Sequence, residues 1–197
     1  MSRLVTLISL WRIAAFPLLV GLILFRQMTT FGYLLAFSFL TDAVDGFLAR
    51  RFRVTSRAGT ELDSLGDDLT VVAGVIGLFV FKMDLVRDQV VIVFMLSVLF
   101  LLHTIIALAR FGQLTSFHTR MAKIAAISQA VFFIQLFLLP APADWVFFIA
   151  SGLTFLDLFE EIAMSLSLEE CESDIKGWWE VRRRQKKGFD DHSHSAR

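Results

Sequence analysis

The chain is 197 residues long, 56% hydrophobic, carries 21 phenylalanines and has a formal net charge of zero. The length suits one domain, the apolar share is far above the soluble norm, and nothing in the overall charge calls for a nucleic-acid partner. The single cysteine, Cys171, excludes an internal disulfide.

A bilayer-spanning helix needs roughly 20 mainly apolar residues. Taken in chain order, apolar runs between charged or Pro/Gly breaks predict six helices, over 4–25, 32–49, 65–81, 89–108, 121–139 and 145–166. The first run, in MSRLVTLISLWRIAAFPLLVGLILF, is too long for a signal peptide. Arg12 interrupts it and no small-residue cleavage site follows, so it reads as a retained span. Arg12 itself is expected to snorkel to the inner surface, with contact to a lipid phosphate as the alternative. The fold class is therefore all-α, a polytopic membrane protein with a membrane domain over 1–166 and a polar tail over 167–197.

Six spans place both termini on one side, and lysine and arginine decide which. Arg3, the group Arg50, Arg51, Arg53 and Arg57, then Arg110, Arg120, Lys123 and the basic run at 182–187 all fall together. The opposite side holds Arg26, Lys82 and Arg87, diluted by Asp84, Asp88 and Asp144. Both termini are expected in the cytoplasm. The tail reads as a solvated segment with loose membrane contact, where Trp178 and Trp179 rest at headgroup level beside the basic run. His192 and His194 lack metal-site companions and receive no role.

The chemistry concentrates in TDAVDGFLARRFRVTSRAGTELDSLGDDLT, residues 41–70. At about 100° per residue, Asp42, Asp45, Gly46 and Ala49 share a face of the second helix, with Arg50 at its edge. Gly59, Asp63, Gly66, Asp67 and Thr70 share a face of the next. Two consecutive helices thus present four carboxylates at one membrane depth, at their cytoplasmic ends. Four like charges in one place cannot all stay ionised unaided, and acids at bilayer depth usually mark function. Hard oxygen donors suit Mg2+ or Mn2+, and four carboxylates can hold two such ions. Paired metals are a recurrent device for phosphoryl chemistry, the glycines let a pyrophosphate approach the backbone, and Arg50 offers a planar fork to phosphate oxygens. Asp68 and Glu61 point away and read as ordinary helix-end charges.

This stretch resembles the signature of the class I CDP-alcohol phosphatidyltransferase family, D-x2-D-G-x2-A-R-x8-G-x3-D-x3-D. Asp42, Asp45, Gly46, Ala49, Arg50, Gly59, Asp63 and Asp67 fill its eight fixed positions, and TLISLWRIAAFPLL is similar to the N-terminal segment of bacterial members. The resemblance implies that Asp42 and Asp63 bridge two metal ions, that Asp45 completes the first site and that Asp67 reaches the second. It implies also that Asp67 is the general base on the acceptor hydroxyl, and that Gly46, Ala49, Arg50 and Gly59 shape a pocket for the CDP moiety. A homodimer in a bacterial inner membrane, working on a CDP-linked lipid with its active site open to the cytoplasm, is the family expectation. The reaction would move a phosphatidyl group from CDP-diacylglycerol to a small alcohol and release CMP.

The acceptor is less legible. Arg120 and Lys123, on one face at the start of the fifth span with His118 and Thr119 nearby, would suit a phosphate-bearing acceptor, with glycerol 3-phosphate the first choice. Simple positive-inside anchoring explains them as well. Asp157, Glu160 and Glu161 share a face of the sixth span. They would pair with Arg120 and Lys123, attract an amino-alcohol such as serine, or mark the helix's exit into water. An inositol or inositol phosphate acceptor, or CDP-choline or CDP-ethanolamine used with diacylglycerol, stays within the same resemblance. A cation transporter is the reading from another class; it predicts polar residues through the membrane and an inverted repeat, and the chain has neither. The sequence also lacks a G-x-x-x-x-G-K-[ST] loop, zinc-ligand spacing and a G-x-S-x-G elbow.

Overall fold

The computed structural model describes the backbone of residues 2–52, 57–112, 119–168 and 178–179, and their side chains except at 2–9, 43, 45–52, 57–61, 63 and 64. Among the described residues it is all-helical. The main helices are α1 (Ser2–Leu24), α2 (Met28–Phe52), α3 (Arg57–Phe81), α4 (Met83–Asp88), α5 (Val90–Phe111), α6 (Arg120–Leu138) and α7 (Asp144–Ser167). Six of these match the six predicted helices, and α4 is a six-residue addition. The largest departure is α3, which begins eight residues before the apolar run does. Its first two turns, RAGTELDS, are polar; hydropathy marks where a helix enters an apolar medium, whereas the backbone hydrogen-bond ladder continues into the polar region.

By length and composition α5 and α6 can each cross a membrane. The outer face of α5 is a band of exposed apolar side chains that includes Val91, Phe94, Leu101 and Ile105, the surface a helix presents to lipid rather than to water. α1 packs along both α2 and α3, α6 joins α2 to α7, and α5 leans on α7.

The best-packed region lies at the end of the bundle where α2 and α7 begin and α3 and α6 finish. Phe31 of α2 meets Phe137 of α6 edge-on at 5.0 Å between centroids and Phe81 of α3 at 5.5 Å. Phe132, Phe133 and Phe147 extend the cluster. Edge-to-face rings of this kind contribute about 0.5–1.5 kcal/mol per pair beyond area burial. Close approach needs a missing side chain: a Cβ on Gly77 would lie 2.6 Å from the Phe31 ring. The turn from α1 to α2 is held at the same end, where Arg26, with φ 58°, donates to the carbonyl of Val80 at 2.9 Å.

Several polar groups inside the bundle are partnered across helices. Gln129 of α6 donates to Thr154 of α7 at 2.9 Å. Gln135 clamps the α6–α7 turn, donating to the Ala143 carbonyl at 3.1 Å and accepting from its amide at 3.3 Å. Opposite the phenylalanine end, Arg110 at the close of α5 donates to the carbonyls of Leu166 and Leu168 at 2.9 and 3.1 Å, satisfying terminal carbonyls that helix geometry leaves open. Thr119 caps α6 by accepting from the Ala122 amide at 3.0 Å. Most of the tail, including His192 and His194, lies outside the described residues. Trp178, however, packs against Met164, as do Phe111 and Leu168, and its amide donates to Glu160 at 3.0 Å.

Candidate active site

Asp42 sits eleven residues along α2 from Phe31, or about 16 Å at 1.5 Å per residue. The aspartates therefore lie well away from the phenylalanine core, toward the opposite end of the bundle. Three helices meet here. α2 supplies Asp42, α3 supplies Asp67, and α1 supplies Arg12 between them. Arg12 donates from Nη1 to Asp42 Oδ1 at 2.9 Å and from Nη2 to Asp67 Oδ1. The Arg12 side chain is fully buried, while the Asp42 and Asp67 side chains keep 34% and 36% exposure. The carboxylates thus remain reachable from outside although the guanidinium is not.

The position of Arg12 corrects the expectation that it snorkels. Snorkelling is favoured when no acceptor is within reach at membrane depth; here two carboxylates are. Arg12 packs against α3 at Gly66. A Cβ at Gly66 would lie 3.4 Å from Arg12 Cζ and 3.4 Å from its Cβ, so the arginine stem lies flat against the helix where α3 has no side chain. One turn on, the Thr70 hydroxyl donates to the Gly66 carbonyl at 2.8 Å.

The other signature residues sit on the same two helices. Asp45, Gly46, Ala49 and Arg50 fall within α2, and Gly59 and Asp63 within α3; their side-chain placement lies outside the described residues. The structure brings Asp42 and Asp67 to one point. Among the described residues no three Asp, Glu, His or Cys side chains come together as a metal cage; Asp42 and Asp67 supply two anionic oxygens of the hard type a divalent cation takes, and each keeps exposure for a further contact.

Arg120 and Lys123 are exposed on the first turns of α6, and none of the described contacts links them to Asp42 or Asp67. Nor do they pair with the α7 acids; His118 lies outside the described residues. The acids have other company. Glu161, 7% exposed, faces His103 of α5 with 3.4 Å between Oε2 and Nε2, and Glu160 accepts from Trp178. Glu161 is buried, so it does not mark an exit into water. Asp157 Oδ1 and Ser165 Oγ are buried in the same stripe of α7, with no hydrogen-bond partner among the described residues. Asp68, expected to be an ordinary end charge, is half-buried and lies within electrostatic reach of both Arg12 and Glu161.

The chain is thus a helical bundle with exposed apolar faces and an arginine-bridged pair of aspartates away from its phenylalanine core. A family model for CDP-alcohol phosphatidyltransferase matches residues 3–156; the chain belongs to that family. Its members are transferases of phospholipid biosynthesis that use CDP-alcohols, are membrane-associated and generally depend on a divalent metal. Membership sets aside the transporter reading. The match begins at residue 3 and ends within α7, so it includes α1 with Arg12 as well as the signature on α2 and α3.

Arg12 was the residue that sequence reasoning undervalued. Its partners lie 30 and 55 positions away, and helix periodicity, which relates neighbours three or four apart, carries no such information. One signal was available: an arginine two to three turns inside an apolar run, in a chain with unbalanced acids at the same depth, has a reason to turn inward.

Proposed function

We propose that the protein transfers the phosphatidyl group of CDP-diacylglycerol to a small alcohol and releases CMP, with glycerol 3-phosphate as the first-choice acceptor. The observation that supports it most is the convergence of Asp42 and Asp67, from two helices, on one cationic centre. In this reading all six long helices span the membrane and the aspartate end faces the cytoplasm. The signature follows the family's pattern, and two copies form the working dimer.

Asp42, Asp45, Asp63 and Asp67 would hold two divalent ions, Mg2+ or Mn2+. When bound, such ions offset charge on the bridging phosphates and improve CMP as a leaving group. The chain's own groups do the rest. Gly46, Ala49 and Gly59 leave backbone open to the CDP moiety, and Arg50 forks onto its phosphate oxygens. Asp67 takes the proton of the acceptor hydroxyl; the oxygen forms a bond to the phosphorus that carries diacylglycerol, and the bond from that phosphorus to CMP breaks. Arg120 and Lys123, both exposed, supply the cations for a phosphate-bearing acceptor. The buried acids of α7 favour a second reading, an amino-alcohol such as serine, whose ammonium they would attract.

Purified protein with CDP-diacylglycerol and Mg2+, offered glycerol 3-phosphate, serine, inositol and inositol phosphate separately, tests both readings through CMP release. Turnover with glycerol 3-phosphate alone is the expected result, and turnover with serine alone would favour the amino-alcohol reading. No CMP with any of the four would sink both. In the same assay Asp67→Asn should lose turnover by at least about a hundredfold, while CDP-diacylglycerol binding by a fluorescent nucleotide analogue stays within a few fold. Retained turnover would remove Asp67 from the base role.

A further inference from the structure

We propose that Arg12 is the resident counter-cation of the aspartate site, a positioning residue that holds Asp42 and Asp67 together whenever divalent ions are absent. The inference rests on the two-ion reading above and goes beyond it, since no fixed position of the signature includes a residue of α1.

Three observations carry it. The Arg12 side chain is fully buried in a bundle with an apolar core, where a lone charge would be strongly unfavourable. Among the described residues it meets one oxygen of each of two carboxylates on different helices, the forked geometry that a guanidinium provides and an ammonium does not. It packs directly on α3 at Gly66, where an added Cβ would already be in van der Waals contact with Arg12 Cβ and Cζ at 3.4 Å. A guanidinium so placed does what a metal would do in the ion-free state: it keeps Asp42 and Asp67 from repelling one another and ties α1 to the helices that bear them. When the ions arrive, that electrostatic task passes largely to them. Arg12 should therefore matter most without metal.

The test is thermal unfolding of the detergent-solubilised full chain in EDTA and in saturating Mn2+, for wild type, Arg12→Gln and Arg12→Lys. Arg12→Gln should unfold about 5 °C or more below wild type in EDTA. In Mn2+ the gap should close by half or more, so the metal-induced rise is larger in the variant than in wild type. Arg12→Lys should recover part of the EDTA loss, because it restores the charge but not the fork. An equal loss in EDTA and in Mn2+, with Arg12→Lys no better than Arg12→Gln, would overturn the inference and reduce Arg12 to packing. If Arg12→Gln does not accumulate, Arg12→Lys carries the same comparison, read against wild type in both conditions. The same measurements in an Asp42→Asn/Asp67→Asn background separate the two readings. A wild type indifferent to Mn2+, combined with an Arg12→Gln loss that disappears in that background, would overturn the two-ion site yet leave the pairing role of Arg12 standing.

Discussion

At Gly77 a hydrogen stands where any other residue would drive a carbon into a ring. An added Cβ would lie 2.6 Å from Phe31 Cε1 and Cζ and 3.2 Å from Phe137 Cζ. Phe31 is itself fully buried and held by its neighbours, so the ring has nowhere to go. Gly77→Ala should cost about 1–3 kcal/mol through overpacking, a fall of several degrees in the unfolding temperature. Gly21 in α1 supplies the control. Nothing lies within 4 Å of a Cβ there, so Gly21→Ala should be neutral or gain up to about 1 kcal/mol from helix propensity. A Gly77→Ala protein as stable as wild type would mean the α2–α3 contact yields more easily than its geometry implies. The same scale explains what the sequence concealed at the site. The paired aspartates were legible because four carboxylates at one depth are costly without a purpose. The residue that answers them in the structure was not, because an arginine inside an apolar run has a cheap local fate in snorkelling, and only the tertiary fold shows that a better one lies within reach.

Between elements, Gln135 is the neutral polar link at the α6–α7 turn. Its amide group meets both the N–H and the C=O of Ala143, and the C=O also accepts from the Val146 amide at 3.1 Å. Gln135→Leu keeps the volume, leaves the C=O with Val146 alone and removes the partner of the Ala143 N–H, at about 1–3 kcal/mol for that group. Hydrogen exchange at the first amides of α7 should accelerate at least tenfold, with α1 to α3 unchanged; uniform protection across the turn would contradict the clamp. Helix existence was easy to read from the sequence, since each run of 17–22 apolar residues had a helix beneath it. Helix limits were harder. The polar first turns of α3 and the short α4 lie outside the apolar runs, although the backbone ladder of α3 continues into its polar turns. The α7 acids stayed unassigned for a related reason. A face that is acidic by periodicity says nothing about whether α5 covers it, and here His103 does.

For the molecule as a whole, the placement of charge makes the proposed orientation testable without any substrate. The end of the bundle that carries Asp42 and Asp67 also carries Arg110, Arg120 and Lys123, and the sequence adds the group at 50–57 and the basic run at 182–187. The phenylalanine end carries Arg26, Lys82 and Arg87 among acids. Cationic loops are retained on the cytoplasmic side, so the aspartate end should face inward and the α4 turn outward. Asp84 and Arg120 are both exposed, one in each region. In a Cys171→Ser background, Asp84→Cys should react with an impermeant maleimide on intact bacterial cells, and Arg120→Cys only in inverted vesicles. The reverse pattern would put the aspartates on the outer surface, where cytoplasmic CDP-lipid headgroups and acceptors could not reach them. Labelling of both from one side would break the six-span arrangement itself, because Asp84 and Arg120 are separated by α5, the helix whose length and apolar surface argue most directly for a crossing.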